Sequence, residues 1–496
     1  AGRLLMNVLA RSIKSVVWIV ADSWISGVMG AVSYLLLMRM LGPEVFGTIA
    51  IAGMFFGAVS TFVGGALTES VQQRSELEEG HLNGTFWLNT FLCLVFSGII
   101  AASAQPLGQL FGSSTLANVL PLLALAALIS SFGALPRALL ERDLQNHKIA
   151  ALNVAVGLIS SCVALALAIS GFGIWSLVAS ILTGTSLGTL AVWAMVSWRP
   201  GLYFTRRHIR DLAQFNRDTI LTNLLGFLDD AIPRGILAFV AGERAVGLFD
   251  LAMKMSSALS GVIISPIAEV AMNTVARMQS SKDDVHALLH RLFMLTTSLI
   301  YPMTLGAIVL APIALPFVFG DAWQDVVLPA QLALLIGLRN ASGDLNIAIL
   351  RGFGNSRAPV TILLIGVALQ IALSPLIIWF GVVGAVVAVA IRVFATWPIS
   401  ADHVGRICGY GLWRQISVGL PALAAASIMA AVAWLVALAL TDHLTSMVSI
   451  TLITVTGVVI YGALLLVSQR WQHILIAINW FKNQTQSDEH HPAVTV

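Results

Sequence analysis

Charge is scarce in this chain. Of 496 residues, 10% are Asp, Glu, Lys or Arg and 58% are hydrophobic, whereas a soluble domain carries about 25% charged residues. That balance excludes an ordinary water-soluble fold. The formal net charge is only +3, and the basic residues are scattered through short loops, so nucleic acid is not expected as a partner. Cysteine is also rare. Cys93, Cys162 and Cys408 are three in number and lie in or near apolar segments, which argues against a disulfide framework or a metal site. No P-loop pattern is present, so ATP hydrolysis by this chain is not expected. His147, His286, His290, His403 and His473 fall between apolar segments without metal-ligand spacing, and His490 and His491 fall near the end of the sequence. Long extracytoplasmic loops are missing too. A membrane-embedded polymerase or ligase needs one to carry catalytic side chains, so the chain reads as a carrier rather than an enzyme.

Apolar blocks of about 20 residues, the length that crosses a bilayer, recur along nearly the whole sequence. The fold class is therefore all-α and polytopic. Fourteen candidate spans lie near 16–38, 46–68, 85–105, 115–136, 149–169, 173–197, 216–241, 249–275, 292–313, 326–350, 359–379, 382–398, 417–440 and 446–468. The first is preceded by the basic stretch AGRLLMNVLARSIKSVVW, which reads as the start of a retained helix rather than a removed leader. Alternate loops are rich in Lys and Arg, such as Arg137, Arg142 and Lys148, or Arg199, Arg206, Arg207, Arg210 and Arg217. The intervening loops hold little beyond Arg39 and Arg244. The positive-inside rule then predicts an even number of spans with both termini cytoplasmic.

A weak internal repeat organises these spans. Gly42-Pro-Glu-Val-Phe-Gly47 follows the first, and Gly242-Glu-Arg-Ala-Val-Gly247 follows the seventh. The link beginning Gly171-Phe-Gly-Ile echoes the one beginning Gly381-Val-Val-Gly. Helices 1–6 thus match helices 7–12 in the same order, as a parallel repeat. The predicted organisation is an N-lobe over 1–197, a basic amphipathic linker over 198–215 and a C-lobe over 216–398. Two additional helices follow within 399–468, then a polar tail over 469–496.

Ionisable residues inside the spans are the candidate functional groups, because each costs about 2.5–3.5 kcal/mol on insertion scales and normally faces protein or a water-filled cavity. Asp22 falls in span 1. Asp229, Asp230 and Arg234 fall in span 7 beside Pro233, with Asp230 and Arg234 four apart on one helix face. Asp250, Lys254 and Glu269 fall in span 8, Arg339 and Asp344 in span 10, and Arg392 in span 12. A buried ion pair between helices, or a snorkelling side chain, accounts for any one of them alone. Together they point to a polar cavity with cationic groups for an anionic ligand, and arginine suits phosphate through its bidentate geometry.

Several stretches resemble a known family. They are LEEGHLNGTFWLN (Leu77 to Asn89), GFGIWSLV (Gly171 to Val178), WRPGLYF (Trp198 to Phe204) and YPMTLGAIVLAPIALPFVFGDAW (Tyr301 to Trp323). In this order they resemble the polysaccharide transporters, the O-unit and exopolysaccharide flippases of the MOP (multidrug/oligosaccharidyl-lipid/polysaccharide) superfamily. The resemblance implies two six-helix lobes around a central cavity lined by helices 1, 2, 7 and 8, plus two additional helices. It implies passage of an undecaprenyl-diphosphate-linked oligosaccharide across a bacterial inner membrane by alternating access. It also implies a polysaccharide polymerase and export machinery as further partners. On this reading Arg234 and Arg339, then Lys254 and Arg392, attract the pyrophosphate. Asp22, Asp229 and Asp230 serve the sugars, or a coupling H⁺ or Na⁺, and Asp344 is a further substrate-binding candidate; no other cofactor is expected. A Gly-Arg-x-x-Gly pattern common in relatives at the end of span 7 is replaced here by Ala238-Phe239-Val240-Ala241-Gly242, so no arginine is carried over there. A multidrug exporter of the same superfamily and a membrane-embedded polymerase or ligase are the alternatives.

Overall fold

The computed structural model describes residues 2–59, 61, 71, 78–143, 145–203, 205, 217–278, 282–355, 357–440 and 445–467. For residues 2–29, 31, 146, 217–220, 259, 277, 282–284 and 440 the description is of backbone only, so the surroundings of Asp22 fall outside it. The linker from 206 to 215, part of the second span and the tail over 469–496 also lie outside the described residues.

Helices account for all the regular structure among the described residues. They are α1 (Gly2–Val59), α2 (Glu79–Ala102), α3 (Ala104–Leu110), α4 (Ser114–Arg142), α5 (Asn146–Ile169), α6 (Ile174–Met195) and α7 (Arg217–Arg277). After these come α8 (Lys282–Phe319), a 3₁₀ turn (Asp321–Val326), α9 (Val327–Gly352), α10 (Arg357–Ala372), α11 (Ser374–Cys408), α12 (Leu412–Leu440) and α13 (Ser446–Val467). Ten helical segments among the described residues are long and apolar enough to cross a membrane, and the chain is a multi-pass membrane protein. Its outer faces are apolar as well, with Ile169 at 74% exposure and Trp379 at 74%. Such faces are stable only where lipid replaces water as solvent.

The chain divides into two compact units, Ala1–Gly247 and Leu248–Val496. In the first, α4 packs against α2 and α6, and α5 against α6. In the second, α9 packs against α8 and α11, and α10 against α11. The two packing patterns match element by element, as the repeat predicts.

Glycine conformation carries the repeat to the level of single residues. α1 and α7 each join two spans through a glycine outside helical geometry. Gly42 has φ 74, ψ 173 and Gly242 has φ 76, ψ −172. A side chain in this left-handed region is strained, so glycine is required for the turn. A second pair of glycines opens the sixth and twelfth spans: Gly173 at φ 56, ψ −127 and Gly381 at φ 55, ψ −128. The sequence comparison pairs Gly171 with Gly381. The backbone instead pairs Gly173 with Gly381, a shift of 208 (173 to 381), because dihedral angles and not residue names define the equivalent turn. α4 and α9 correspond by a shift of 210. Leu139 and Leu140 accept backbone hydrogen bonds from Asp143 and Gln145, as Ile349 and Leu350 accept from Phe353 and Asn355.

Two local arrangements explain recognisable stretches of sequence. In the first unit the link after α6 lies back over the start of α2. The Gly201 N–H donates to Asn83 Oδ1 at 2.8 Å, Asn83 Nδ2 donates to the Tyr203 carbonyl at 3.2 Å, and Trp87 Nε1 donates to the Gly201 carbonyl at 2.9 Å. Phe86 packs against Trp193 and Trp198, which stack on each other at 6.2 Å. The NGTFW and WRPG stretches therefore hold one another. In the second unit α12 is fixed by a buried amide network. Gln415 Nε2 donates to Asn346 Oδ1 at 2.9 Å, and Asn346 Nδ2 donates to Ser400 Oγ at 3.1 Å. Trp397 Nε1 donates to Gln415 Oε1 at 3.2 Å. Asn346, Ser400 and Gln415 are at most 1% exposed. Each buried polar atom in such a site needs its partner. Beside it, burial pushes the Tyr410 phenol upward, partly opposed by the Arg414 guanidinium. Tyr410 is thus neutral near pH 7 and hydrogen-bonds His290 at 3.4 Å.

Candidate functional site

The second unit encloses a cavity of about 350 Å³ whose polar lining is Arg339, Asn340 and Arg351 from α9, Arg392 and Thr396 from α11, and Ser256 and Ser257 from α7. Arg339 and Arg351 are 12 residues apart along α9, which is about 18 Å of helix. The remaining wall is aliphatic, including Ile336, Ile347, Ile362 and Val389. This is the composition of a ligand site, an apolar concavity with a few placed polar groups.

Each arginine is presented differently. Arg339 is 9% exposed. Its guanidinium folds back over its own helix and fills the space that a Cβ at Gly343 would take, reaching Asp344 at 3.6 Å. Gly343 thus sets where the Arg339 charge sits. Asn340 Nδ2 donates to Ser260 Oγ at 3.1 Å, which ties α9 to α7 beside the cavity. Thr396 donates its hydroxyl proton to the Arg392 and Val393 carbonyls, so it has no donor left for an anion. Three guanidinium groups line the cavity, with Asp344 beside Arg339, and such a lining suits an anion with several oxygen acceptors.

Among the sequence-predicted residues, Arg339 and Arg392 share this cavity, and Asp344 adjoins it through Arg339. Lys254 pairs with Asp250 at 2.9 Å, four residues away, and is not a lining residue. Asp229, Asp230 and Arg234 belong to the first unit. There Arg234 Nη1 donates to the Asp230 carbonyl at 2.9 Å and lies 3.8 Å from its carboxylate, which is 79% exposed. Pro233 has no N–H for the Asp229 carbonyl, and Arg234 bonds the carbonyl that follows. Arg351 was missed, because its place after the tenth apolar block assigns it to a loop. Helical spacing carries the signal: Ile336, Asn340, Ile347 and Arg351 recur at intervals of 4, 7 and 4, one face of α9.

A family model described as "Polysaccharide biosynthesis protein" matches residues 36–328. The succinoglycan biosynthesis transport protein ExoT of Rhizobium meliloti is 26% identical over 290 residues, 58% of this chain and 58% of that protein. The lipopolysaccharide biosynthesis protein WzxC of Escherichia coli is 22% identical over 68% of this chain and 69% of its own length. The chain thus spans less than two thirds of ExoT. Among solved structures, the lipid II flippase MurJ in an inward closed conformation superposes with a TM-score of 0.74 at 14% identity, covering 90% of this chain and 99% of that one. An inward-facing MATE multidrug transporter of the MOP superfamily gives 0.60 at 13% identity, covering 76% of this chain and 94% of its own. At these identities the likeness shows the fold alone.

Proposed function

The chain belongs to the polysaccharide biosynthesis protein family, and from that premise we propose that it is a flippase for lipid-linked oligosaccharides. The substrate class is a polyprenyl-diphosphate-linked repeat unit. The membrane is the bacterial inner membrane, with both termini cytoplasmic, and the product leaves for exopolysaccharide or O-antigen assembly by a polymerase and export machinery. The carrying observation is the cavity lined by Arg339, Arg351 and Arg392. A diphosphate brings concentrated negative charge and many acceptor oxygens, and arginine meets both through paired N–H donors. The hydrocarbon tail needs no polar path and can remain in the bilayer while the headgroup crosses. No bond is made or broken, so the protein acts as a carrier by alternating access rather than as an enzyme. Carboxylates such as Asp229 and Asp344 are candidates to carry a coupling proton or Na⁺.

The test is binding by the purified full chain of an undecaprenyl-diphosphate-linked oligosaccharide, with a cationic dye as the competing cargo. The flippase reading expects saturable binding of the lipid-linked sugar, weakened about tenfold or more in Arg339→Ala and Arg392→Ala, since a charge-assisted hydrogen bond contributes about 1.5–3 kcal/mol. Saturable dye binding that is indifferent to both arginines, with no binding of the lipid-linked sugar, would favour the drug exporter.

A further inference from the structure

The first unit holds a second cavity, of about 370 Å³, between α4, α5 and α6. It is the repeat counterpart of the arginine cavity. Ser130, Leu152 and Asn153 line it where Asn340, Ile362 and Leu363 line the other, each shifted by 210. Gly184, Thr185 and Gly188 correspond to Arg392, Val393 and Thr396, each shifted by 208. The charges have not been kept. By the same shifts Arg339, Arg351 and Arg392 correspond to Ile129, Glu141 and Gly184. Among the described residues the one cationic lining residue is Arg137, whose counterpart is Ile347.

The chemistry of the lining narrows the ligand. Ser130 Oγ donates to the Ala127 carbonyl, Thr185 Oγ1 to the Ile181 carbonyl and Thr189 Oγ1 to the Ile129 carbonyl. Their protons are committed to backbone carbonyls, so these hydroxyls offer an anionic group no donor, and Ala134, Val156 and Val192 make the rest of the wall aliphatic. Gly133, Gly157, Gly184 and Gly188 widen it, and a Cβ built at Gly157 or Gly188 meets nothing within 4 Å. At one end Arg137 donates through Nε to Glu141 at 3.1 Å and through Nη1 to Asn153 Oδ1 at 3.3 Å. Its side chain is 44% exposed, so its remaining N–H groups are open to a ligand oxygen.

From the apolar slot with a single cationic end, we infer that this cavity holds one acyl chain of an anionic bilayer phospholipid, its phosphate on Arg137. Charge matching favours that occupant over the transported substrate. Arg137 already shares its charge with Glu141, so its remaining N–H groups suit a singly charged phosphodiester, whereas a diphosphate suits the arginine-rich lining of the other unit. The duplicated cavity has thus diverged into a cargo site and a lipid site. The second half of that statement rests on this cavity alone; the first rests on the flippase reading.

The test is photolabelling of the full chain in vesicles that contain phosphatidylglycerol with a diazirine on one acyl chain. Mapped peptides are expected to cover residues 152–157 and 184–192. Arg137→Gln should reduce labelling roughly tenfold, the contribution of one charge-assisted contact, toward that of an uncharged-headgroup phosphatidylcholine probe. Gly188→Leu and, independently, Gly157→Leu should abolish it, and excess unlabelled phosphatidylglycerol should compete. Arg339→Ala should leave it unchanged even where substrate binding is lost, which separates failure of this inference from failure of the flippase reading. Labels absent from these helices in the wild-type chain would overturn the inference. So would labelling displaced by undecaprenyl phosphate but not by phosphatidylglycerol.

Discussion

Two glycines on one helix make a discriminating pair. Gly343 and Gly352 both lie on α9, and alanine at either adds one methyl group. At Gly343 that methyl would overlap the Arg339 guanidinium, the mobile end of a long side chain. At Gly352 it would meet the Met272 carbonyl oxygen at 2.7 Å and Val275 side-chain carbons at 3.3 Å, which are held by the packing of α7. Gly343→Ala should therefore cost little stability, because rotating one side chain relieves the overlap. It should displace the Arg339 charge and lower affinity for a diphosphate-linked lipid about tenfold or more, the worth of one charge-assisted hydrogen bond. Gly352→Ala should show the reverse. Overpacking against a fixed backbone costs about 1–3 kcal/mol, so the thermal midpoint should fall while affinity in the folded protein stays near wild type. Both quantities come from the same purified preparations, by ligand titration and by a thermal unfolding scan. If Gly343→Ala binds like wild type, the pose of Arg339 is irrelevant to the ligand. If it loses as much stability as Gly352→Ala, the reasoning about which neighbour yields is wrong.

Three further outcomes follow from the same structure. Gln415→Leu removes a partner from Asn346 and Trp397, leaves buried polar atoms unsatisfied at about 1–3 kcal/mol each, and should lower the thermal midpoint. Gly47→Ala and Gly247→Ala each place a methyl onto a backbone carbonyl, of Glu243 and Pro43 respectively. Either should push the α1 segment around Pro43–Gly47 away from the α7 segment around Glu243–Gly247, read as spin-label separation between positions 44 and 244, whose native Glu and Arg lie 4.0 Å apart. Arg234→Ala should reduce transport while leaving the protein inserted and monodisperse; normal polymer export by that variant would remove Arg234 from the pathway.

The architecture was legible in the sequence because bilayer thickness fixes the length of an apolar block. The repeat was legible for a related reason. Gly42 and Gly242 occupy a backbone region closed to other residues, so the fold cannot replace them without strain. The link pairing slipped by two residues because Gly171 and Gly173 are both glycines of positive φ, and the letters alone do not say which one matches Gly381. The site was legible only in part. Arg339 and Arg392 stand out as charges within apolar blocks, whereas Arg351 hides at a helix end. The lipid-sized cavity between α4, α5 and α6 was not legible at all. Its walls are glycines and internally bonded hydroxyls, which in sequence look like ordinary membrane-helix packing.

The central claim is that the chain moves a lipid-linked oligosaccharide between leaflets without altering it. The direct measurement is reconstitution of the purified protein into liposomes with a polyprenyl-diphosphate-linked oligosaccharide, timing its exposure on the opposite leaflet. Accelerated exposure of chemically unchanged lipid-linked sugar, lost in Arg339→Ala, is the predicted result. No acceleration, together with joining of the sugars into longer chains, would contradict it and make the protein an enzyme.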